Sequence, residues 1–469
     1  MGFQSDKKQL RTSQIAHHTR REFHLWDLPQ RQVFALLDEA YRKALVAPLI
    51  ESFGEVSLSK LIHVRPPTFR RWASVDASDR LGKSRTGYIR LDVLFRLGKT
   101  TNAERFSPEE IETHVVALKG YGCSLPAYGT SFPIQEHTPM IRVLMHFMGD
   151  GALYPIPGST MTSSYSNQNR KLRRGFVISL SAIFGDVSRC VREDLCSQSR
   201  LRVMVPKWIA YVIAHFYPDA EFGQMRSKLP GRLFSVPDEL KVEAIRTLAD
   251  DDGSVQELCI RFVSGSCALL EDTRQLILQL IRGDSELESP QKEVLERSVS
   301  TIRKQRNWYR LDLGFRILEW YQHRIGFSHA DKMRELEFRI KAANRTAQLD
   351  ALARDRLIFS GLLNGQRTAQ EIAFAHLIRE EYVHASLRYH LGYGRISKCG
   401  KSLRRKKAAA KWSLTEDGRN WFQTLSLVNR NRKKDFMRKT LPERDYMRYR
   451  WLRHEPLGDC EIPMVSRPA

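Results

Sequence analysis

The chain has 469 residues, of which 42% are hydrophobic and 28% charged, the composition of a folded globular protein with room for several domains. It carries 76 Lys and Arg residues against 53 Asp and Glu residues, and the formal net charge of +23 favours a polyanionic partner, usually nucleic acid. A basic proteome or a solubility effect is the alternative explanation of this charge. The seven cysteines form no Cys-x-x-Cys pair, which argues against a disulfide framework and a zinc site.

Hydropathy along the chain bears on cellular location. The N-terminal stretch is charged and lacks the apolar segment of a secretory signal. No run of apolar residues is long enough to span a bilayer. We therefore expect a cytoplasmic protein with no membrane partner.

The N-terminal part, residues 1–134, is predicted to be a mainly helical domain. Residues 24–53 carry apolar side chains at helical spacing and predict one or two helices. Residues 55–72 predict a short helix, a break at two prolines and a second helix bearing Arg70 and Arg71. This outline fits a DNA-binding helix-turn-helix, and a small helical hairpin with a basic solvated face explains it equally well.

The next segment leads towards the middle of the chain. Residues 81–100 shift towards alternating hydrophobicity and predict a strand. Ser107 followed by Pro108 predicts the start of a helix. Residues 120–133 are rich in Gly, Pro and Ser, and we expect them to be a linker.

Two acidic turns organise the middle of the chain. Asp150-Gly151 ends one stretch of helical spacing, and Asp252-Gly253 ends another. A single Asp-Gly predicts no more than a helix stop with Gly in a left-handed conformation. Because the two turns have matching flanks, we interpret them as copies of a duplicated unit that carries one carboxylate each.

The order of predicted elements agrees with a duplication. Residues 135–235 read as helix, hairpin, helix, strand and helix, with the first helix starting near Thr138 and another covering residues 170–185. Residues 236–345 repeat the order, with a strong strand or strand pair directly after the second acidic turn.

Carboxylates at helix C-termini are not stabilised by the helix dipole, which favours cations there. If the two helices packed side by side, Asp150 and Asp252 would repel each other unless a cation lay between them. Mg²⁺, or another divalent ion such as Mn²⁺, binds oxygen ligands and leaves positions for phosphate and water. The pattern therefore predicts metal-assisted phosphodiester hydrolysis, and two ordinary helix ends are the simpler alternative.

Residues 135–345 resemble the LAGLIDADG homing endonucleases in their single-chain, two-motif form, with RVLMHFMGDG and AIRTLADDDG in the places of the two motif helices. The resemblance implies an α+β protein, a monomer with a pseudo-twofold pair of αββαββα repeats whose sheets form a saddle over double-stranded DNA. It also implies that the last acidic residues of the motifs, Asp150 and Asp252, bind the metals, with Gly149 and Asp251 beside them.

The chain departs from this family at the predicted contact between the motif helices. The family prefers small residues there, whereas this chain has Met145, Thr247 and Asp251. The family also places a basic residue near the scissile phosphate. Lys228 is our candidate for this catalytic role and Arg261 is a second, both by position, and a plain surface role is the alternative for each.

The C-terminal part resembles winged helix-turn-helix domains over residues 346–430, flanked by a basic tail, residues 431–469, that reads as a nucleic-acid arm or a solvated helix. The resemblance implies a recognition helix near residues 379–388 and a basic wing that contacts phosphate. Ser386 lies on or near that helix, and the implied DNA-binding residues are Arg379, His384, Arg388, Lys401, Arg404, Arg405, Lys406 and Lys407.

Together these features predict a site-specific endonuclease that cuts double-stranded DNA, flanked by mainly helical DNA-binding domains. One alternative is a LAGLIDADG-fold transcription regulator with weakened catalysis. A second alternative is a maturase that holds a structured intron RNA.

Overall fold

The computed structural model describes residues 22–74, 87–101, 103–121, 125–153, 163–195, 201–223, 225–363, 365, 367–404, 407–430 and 434–449. Two compact units divide this part of the chain. The first extends to Ser254 and resumes over Ile260–Ala330, and the second contains Val255–Cys259 and the described residues from Asp331 onwards. Helices with several small sheets confirm the α+β class. Within the described ranges, no helix is long and apolar enough to cross a membrane.

The N-terminal part of the first unit combines helices with a small sheet. The helices are α1 (Glu39–Ile62), α2 (Pro66–Ser74), α3 (Leu91–Thr101) and α4 (Pro108–Thr113). The strands are β1 (Glu22–Phe23), β2 (Val33–Leu37), β3 (Ile89–Arg90), β4 (Val115–Gly120), β5 (Ala127–Tyr128) and β6 (Ile134–Gln135). The antiparallel sheet has the order β3-β2-β4-β5, and β1 pairs with β6.

Three predictions for this part were wrong. Residues 24–37 are not helical, because β2 buries alternate side chains and a short 3₁₀ turn precedes it. Residues 91–101 form helix α3 instead of a strand, since Leu94 and Leu97 are buried with the residues at alternate positions, as a helix covered on several sides requires. Residues 125–133 are not a free linker: β5 joins the sheet, and the Thr130 hydroxyl donates to the Phe184 carbonyl at 2.6 Å.

The predicted helix-turn-helix segment contains two helices. Gly54 adopts φ 68° and kinks α1, so that residues 55–62 form a short segment of their own. The second helix, α2, begins at Pro66, and its Arg70 and Arg71 are exposed. The predicted helix start at Ser107 is confirmed, because its side chain accepts the Glu110 N–H.

The rest of the first unit contains the same arrangement twice. The first copy consists of α5 (Thr138–Met148), β7 (Gly151–Ala152), β8 (Ser163–Ser166), α6 (Arg170–Phe184), β9 (Arg192–Leu195), β10 (Leu201–Val205) and α7 (Lys207–Phe216). The second consists of α8 (Asp238–Asp252), β11 (Gly253–Val255), β12 (Cys259–Ser264), α9 (Cys267–Gly283), α10 (Ser289–Arg297), β13 (Arg303–Gln305), β14 (Trp308–Gly314) and α11 (Leu318–Arg324).

The two sheets have matching strand orders, β7-β8-β10-β9 and β11-β12-β14-β13. The two segments share an order of elements and a sheet order, as a duplicated unit would, with α10 present in the second segment alone; the pair of repeats stays a prediction. The sequence pattern missed β9 and β13, because these short edge strands are polar and show no apolar alternation.

The second unit is mainly helical around a small sheet. Its helices are α12 (Ala330–Gln348), α13 (Ala351–Leu363), α14 (Ala369–His376), α15 (Glu380–Leu391), α16 (Glu416–Arg430), α17 (Lys434–Thr440) and α18 (Glu443–Tyr449). The strands β15 (Arg367–Thr368), β16 (Ile396–Arg404) and β17 (Lys407–Leu414) form a sheet of order β15-β17-β16. The predicted helices and basic hairpin are therefore present. The predicted tail buries Met437 of α17, Tyr449 of α18 and Leu441, which lies between these helices, in the core of this unit.

Candidate functional site where the two acidic turns meet

Helices α5 and α8 pack against each other and bring the two acidic turns together. Gly149 reports their proximity: a Cβ atom added at Gly149 would lie 3.3 Å from both Cβ and Oδ2 of Asp251. The same point lies 3.6 Å from Oδ2 of Asp252. The carboxylates that end the second motif helix therefore lie beside the end of the first.

Each turn ends in a glycine for a steric reason. A Cβ at Gly151 would lie 2.5 Å from the Phe147 Cα, and a Cβ at Gly253 would lie 2.9 Å from the Ala249 Cα. Neither glycine has a left-handed φ angle, so the simple prediction of a left-handed helix stop was wrong. The strand instead leaves so close to the last helical turn that no side chain fits between them.

Asp251 bridges the two copies. Its side chain has no exposed surface, and its Oδ2 lies 2.8 Å from Nδ1 of His146 on α5. Its Oδ1 accepts the Tyr165 hydroxyl of β8 at 2.6 Å. Burial, together with the negative charge of Asp251 and its acceptance of this hydrogen bond, raises the pKa of Tyr165 far above its ordinary value. Tyr165 therefore stays protonated and donates.

Asp150 and Asp252 are half-buried residues at this crossing. The Asn167 amide donates to Oδ2 of Asp150 at 2.8 Å, and the backbone carbonyl of Asp150 accepts the Ser166 N–H at 3.1 Å. The side chain of Asp150 is thus oriented by Asn167, which directly follows β8.

The neighbouring Asp250 has a different environment. It is buried, and its two carboxylate oxygens accept the backbone N–H groups of Ser328 and His329, each at 3.1 Å. The His329 ring contacts the side chain of Asn169 in the first copy. The first two of the three consecutive aspartates therefore have different partners: Asp250 accepts two backbone N–H groups, and Asp251 accepts the Tyr165 hydroxyl.

The donor chemistry at this crossing fits a divalent cation. Carboxylate oxygens of Asp150 and Asp252 are the ligands that Mg²⁺ and Mn²⁺ prefer, and phosphate and water oxygens complete such sites. Within the described ranges, no group of three or more His, Cys, Asp or Glu residues is placed to hold a metal. Gly149 offers only its backbone, and both oxygens of Asp251 already accept hydrogen bonds. The metal-binding roles of all four residues remain predictions.

The two copies also form ion pairs further along helices α5 and α8. Arg142 on α5 donates through Nε to Glu243 on α8 at 2.5 Å, and Glu243 also pairs with Arg246 at 2.9 Å. Met145 and Thr247, the larger residues at the predicted contact, are buried. The interface is therefore filled by side chains and joined by buried polar contacts.

The two candidate basic residues lie in different settings. Lys228 is exposed, and the hydroxyl of the preceding Ser227 donates to the Met148 carbonyl at 3.1 Å, which places this segment beside the end of α5. Arg261 on β12 is held by Asp312 on β14, with 2.8 Å between Nε and Oδ1. The catalytic role of either residue remains a prediction.

Residues of the predicted recognition helix divide into exposed and buried groups. His384 and Arg388 are exposed on α15, whereas Ser386 on the same helix is buried and donates to Asp355. Arg379 precedes the helix and pairs with Glu381 at 2.5 Å.

The remaining predicted DNA-binding residues lie on the hairpin and near the N-terminus. Lys401 and Arg404 belong to β16, and Lys407 begins β17. Arg405 and Lys406 lie outside the described residues. Arg70 on α2 forms an ion pair with Glu55.

Sequence reasoning missed His146, Tyr165 and Asn167. Each acts through a contact with a residue distant in the chain or across a turn, and no local pattern marks them. His146 lies within a helix of apolar periodicity, where a core histidine is the ordinary interpretation.

Comparisons with solved structures find weak likenesses. The chain is similar to the crystal structure of I-DmoI in complex with DNA and Mn, with 16% identity, 40% of this chain and 96% of that chain covered, and a TM-score of 0.29. It is also similar to full-length DUF199/WhiA from Thermatoga maritima, with 11% identity, 56% of this chain and 93% of that chain covered, and a TM-score of 0.28. No family model and no curated protein matches the chain.

Proposed function

We propose that the chain is an endonuclease that binds double-stranded DNA and hydrolyses its phosphodiesters with a divalent metal, on a pseudo-twofold pair of LAGLIDADG-type repeats. One observation carries this proposal. Asp150 and Asp252 occupy matching positions in the two copies of a duplicated unit, and the packing of α5 against α8 brings their turns together. The aspartates beside Asp252 have partners of their own: Asp251 accepts the Tyr165 hydroxyl, and Asp250 accepts the Ser328 N–H.

A divalent cation held by Asp150 and Asp252 would supply stabilisation of the charge on the attacking and leaving oxygens of the phosphodiester. The contribution of the chain is to hold two carboxylates at a fixed spacing. Asn167 orients Asp150 through its amide. Gly151 and Gly253 pack closely against the preceding helical turn, which fixes the backbone of each acidic turn. Lys228, on the segment beside α5, is the proposed source of positive charge near the scissile phosphate.

The face of the second sheet that is turned away from the core supports the DNA-binding part of the proposal. Along β14, Leu311 and Leu313 are buried, so Arg310 and Asp312 belong to the opposite face. Arg303 and Lys304 on the edge strand β13 are exposed. Long basic side chains on a sheet surface suit the phosphates of a duplex.

Cleavage in Mg²⁺ tests the proposal. Wild-type protein is incubated with randomised or genomic DNA beside Asp150→Asn and Asp252→Asn. We expect both variants to lose cleavage and to retain DNA binding, because amides keep the shape of the turns without the charge that holds a cation. Asp331→Asn, which changes an exposed ion-paired aspartate, is the matched control and should cut normally. DNA binding with every sequence left intact by the wild type would exclude the nuclease.

A non-enzymatic regulator that uses the same repeats to read DNA is the second candidate function. The specific observation in its favour is Asp251, which is buried at the crossing with both oxygens engaged and so contributes to holding the interface together. The same assay distinguishes the candidates, because a regulator binds without cutting and is unaffected by Asp150→Asn.

A further inference from the structure

Tyr165 touches both acidic turns. Its backbone pairs in register with Gly151, the residue after Asp150, in the β7–β8 ladder. Its hydroxyl donates to Asp251, the residue before Asp252, at 2.6 Å. One fully buried side chain in the first copy is therefore joined to the turn of each copy.

The side chain of Asp251 lies in the space beside Gly149, which has no side chain, and there it contacts Tyr165. Gly149 and Asp251 occupy corresponding positions one residue before Asp150 and Asp252. A methyl group at Gly149 would lie 3.3 Å from the Asp251 side chain, which is tighter than ordinary contact. The crossing thus accommodates one side chain at this pair of positions, and that side chain is the carboxylate that Tyr165 holds.

Aromatic packing fixes the position of Tyr165. Its ring centroid lies 4.7 Å from that of His146 and 4.8 Å from that of Phe176. His146 is also 5.6 Å from Phe176 in an edge-on arrangement, and it approaches the second oxygen of Asp251. A rigid hydroxyl donor in a closed aromatic cluster has little freedom to follow a shifting carboxylate.

We infer that Tyr165 is a positioning residue that sets the spacing between Asp150 and Asp252, using the buried Asp251 as its attachment to the second turn. The inference rests on the proposed function, because it assumes that Asp150 and Asp252 bind one cation. Tyr165 does not contact the cation and is not a ligand in this account. It acts through the two turns.

The test compares Tyr165→Phe with Tyr217→Phe. Tyr217 is also buried in the first unit, and its hydroxyl donates to Glu136, a carboxylate that has a second donor in Arg232. The two variants therefore remove equivalent hydroxyl groups, and only Tyr165 lies at the acidic turns. Hydrogen exchange of residues 145–153 and 247–255 is measured by mass spectrometry, and Mn²⁺ binding is measured by electron paramagnetic resonance.

We expect Tyr165→Phe to speed exchange in both turns by about tenfold, the effect of losing one hydrogen bond to a buried charge, and to weaken Mn²⁺ binding by a similar factor. Tyr217→Phe should leave both readouts at the turns unchanged. Asp251→Asn keeps an oxygen acceptor for Tyr165 and should preserve slow exchange, whereas Asp251→Ala should not.

The outcomes separate this inference from the proposed function. Unchanged exchange at residues 247–255 in Tyr165→Phe, or an equal rise in Tyr217→Phe, overturns the inference. Faster exchange with undiminished Mn²⁺ affinity also overturns it, because the turns then loosen without affecting the ligands. If the wild type binds no Mn²⁺ and exchange still rises at both turns in Tyr165→Phe alone, the spacing role stands and the metal-dependent function fails.

Discussion

At the scale of single residues, the geometry of the acidic turns depends on glycines, which have no side chain. Gly151 and Gly253 are required because the Cα of the residue four positions earlier occupies the space of a side chain. Gly149 leaves room for Asp251, and Asp251 in turn connects α8 to His146 and Tyr165. Three glycines and one buried carboxylate thus determine where Asp150 and Asp252 lie.

Gly151→Ala is expected to lower the free energy of unfolding by about 2 kcal/mol or more, because the new methyl group meets backbone atoms that cannot move aside. Gly175 in the middle of α6 is the matched control, since a Cβ there meets no atom within 4 Å. Gly175→Ala should raise stability by about 0.5–1 kcal/mol through helix propensity. Urea unfolding of both variants measures the difference, and equal effects would contradict the steric account.

At the scale of elements, α18 shows how a short charged helix is held in a core. Asp445 is fully buried and accepts the Tyr389 hydroxyl at 2.9 Å and the Arg395 guanidinium at 2.6 and 3.1 Å. Arg448 donates to the buried Asp355 of α13 at 2.9 Å, and the Tyr449 hydroxyl donates to the same carboxylate. These contacts link α18 to α13 and α15, so it is part of the second unit.

Asp445→Ala is expected to destabilise the second unit by about 3–5 kcal/mol, because it leaves the Arg395 charge buried without its partner. Glu443→Ala changes an exposed carboxylate on the same helix and should have an effect within about 0.5 kcal/mol. Hydrogen exchange of the amides of α13 and α15 measures the stability of this unit. Equal protection in both variants would show that α18 does not hold the core.

Asp355 makes the stability of this unit dependent on pH. Burial alone would raise the pKa of its carboxyl, but the nearby His390, the Arg448 charge and the Ser386 hydroxyl outweigh burial and hold the pKa below its ordinary value. The unfolded carboxyl binds its proton near pH 3.8, at a higher pH than the folded one. The stabilisation is therefore complete above the unfolded pKa and is lost as pH falls through the folded pKa.

Asp355→Asn removes this titration, and we expect it to flatten the loss of stability below about pH 4. The measurement is exchange protection of α13 and α15 across a series of acidic buffers. Asp331→Asn, an exposed aspartate, is the control and should keep the wild-type slope. A variant Asp355→Asn that loses stability as steeply as the wild type would assign the acid sensitivity to other groups.

At the scale of the whole molecule, charge is the property that bears on partners. Ion pairs within the fold leave the net charge of +23 unchanged, because each joins one cation to one anion, and the hairpin of β16 and β17 carries Lys401, Arg404 and Lys407 on its strands. Binding to DNA through phosphates releases counterions and makes affinity depend steeply on salt.

We expect DNA affinity to fall on the order of a thousandfold or more between 50 and 200 mM salt if six or more phosphates are contacted. Neutralising Lys401, Arg404 and Lys407 to Gln should reduce the slope by about one for each phosphate that these side chains no longer neutralise. Neutralising three exposed, ion-paired arginines, Arg282, Arg297 and Arg334, removes the same charge and should leave the slope nearly unchanged. A flat salt dependence of the wild type would exclude nucleic acid as the partner.

The sequence by itself determined the local elements of the duplicated core. Helix starts at Thr138 and in the segment before Asp238, apolar periodicity along α6 and α9, and glycines after the aspartates identified the two copies, because these signals act between residues close in the chain. It did not distinguish β2 or α3 correctly, since short apolar segments satisfy both periods until their neighbours are known.

Only the tertiary structure decided which contacts each of the three consecutive aspartates makes. Asp250, Asp251 and Asp252 are the same residue type and adjacent in the chain, yet Asp250 accepts backbone N–H groups, Asp251 contacts His146 and Tyr165, and Asp252 lies beside Gly149 at the end of α5. The reason is geometric. Successive residues of a helix point in different directions, and the partners each meets lie 78 to 105 positions away in the chain.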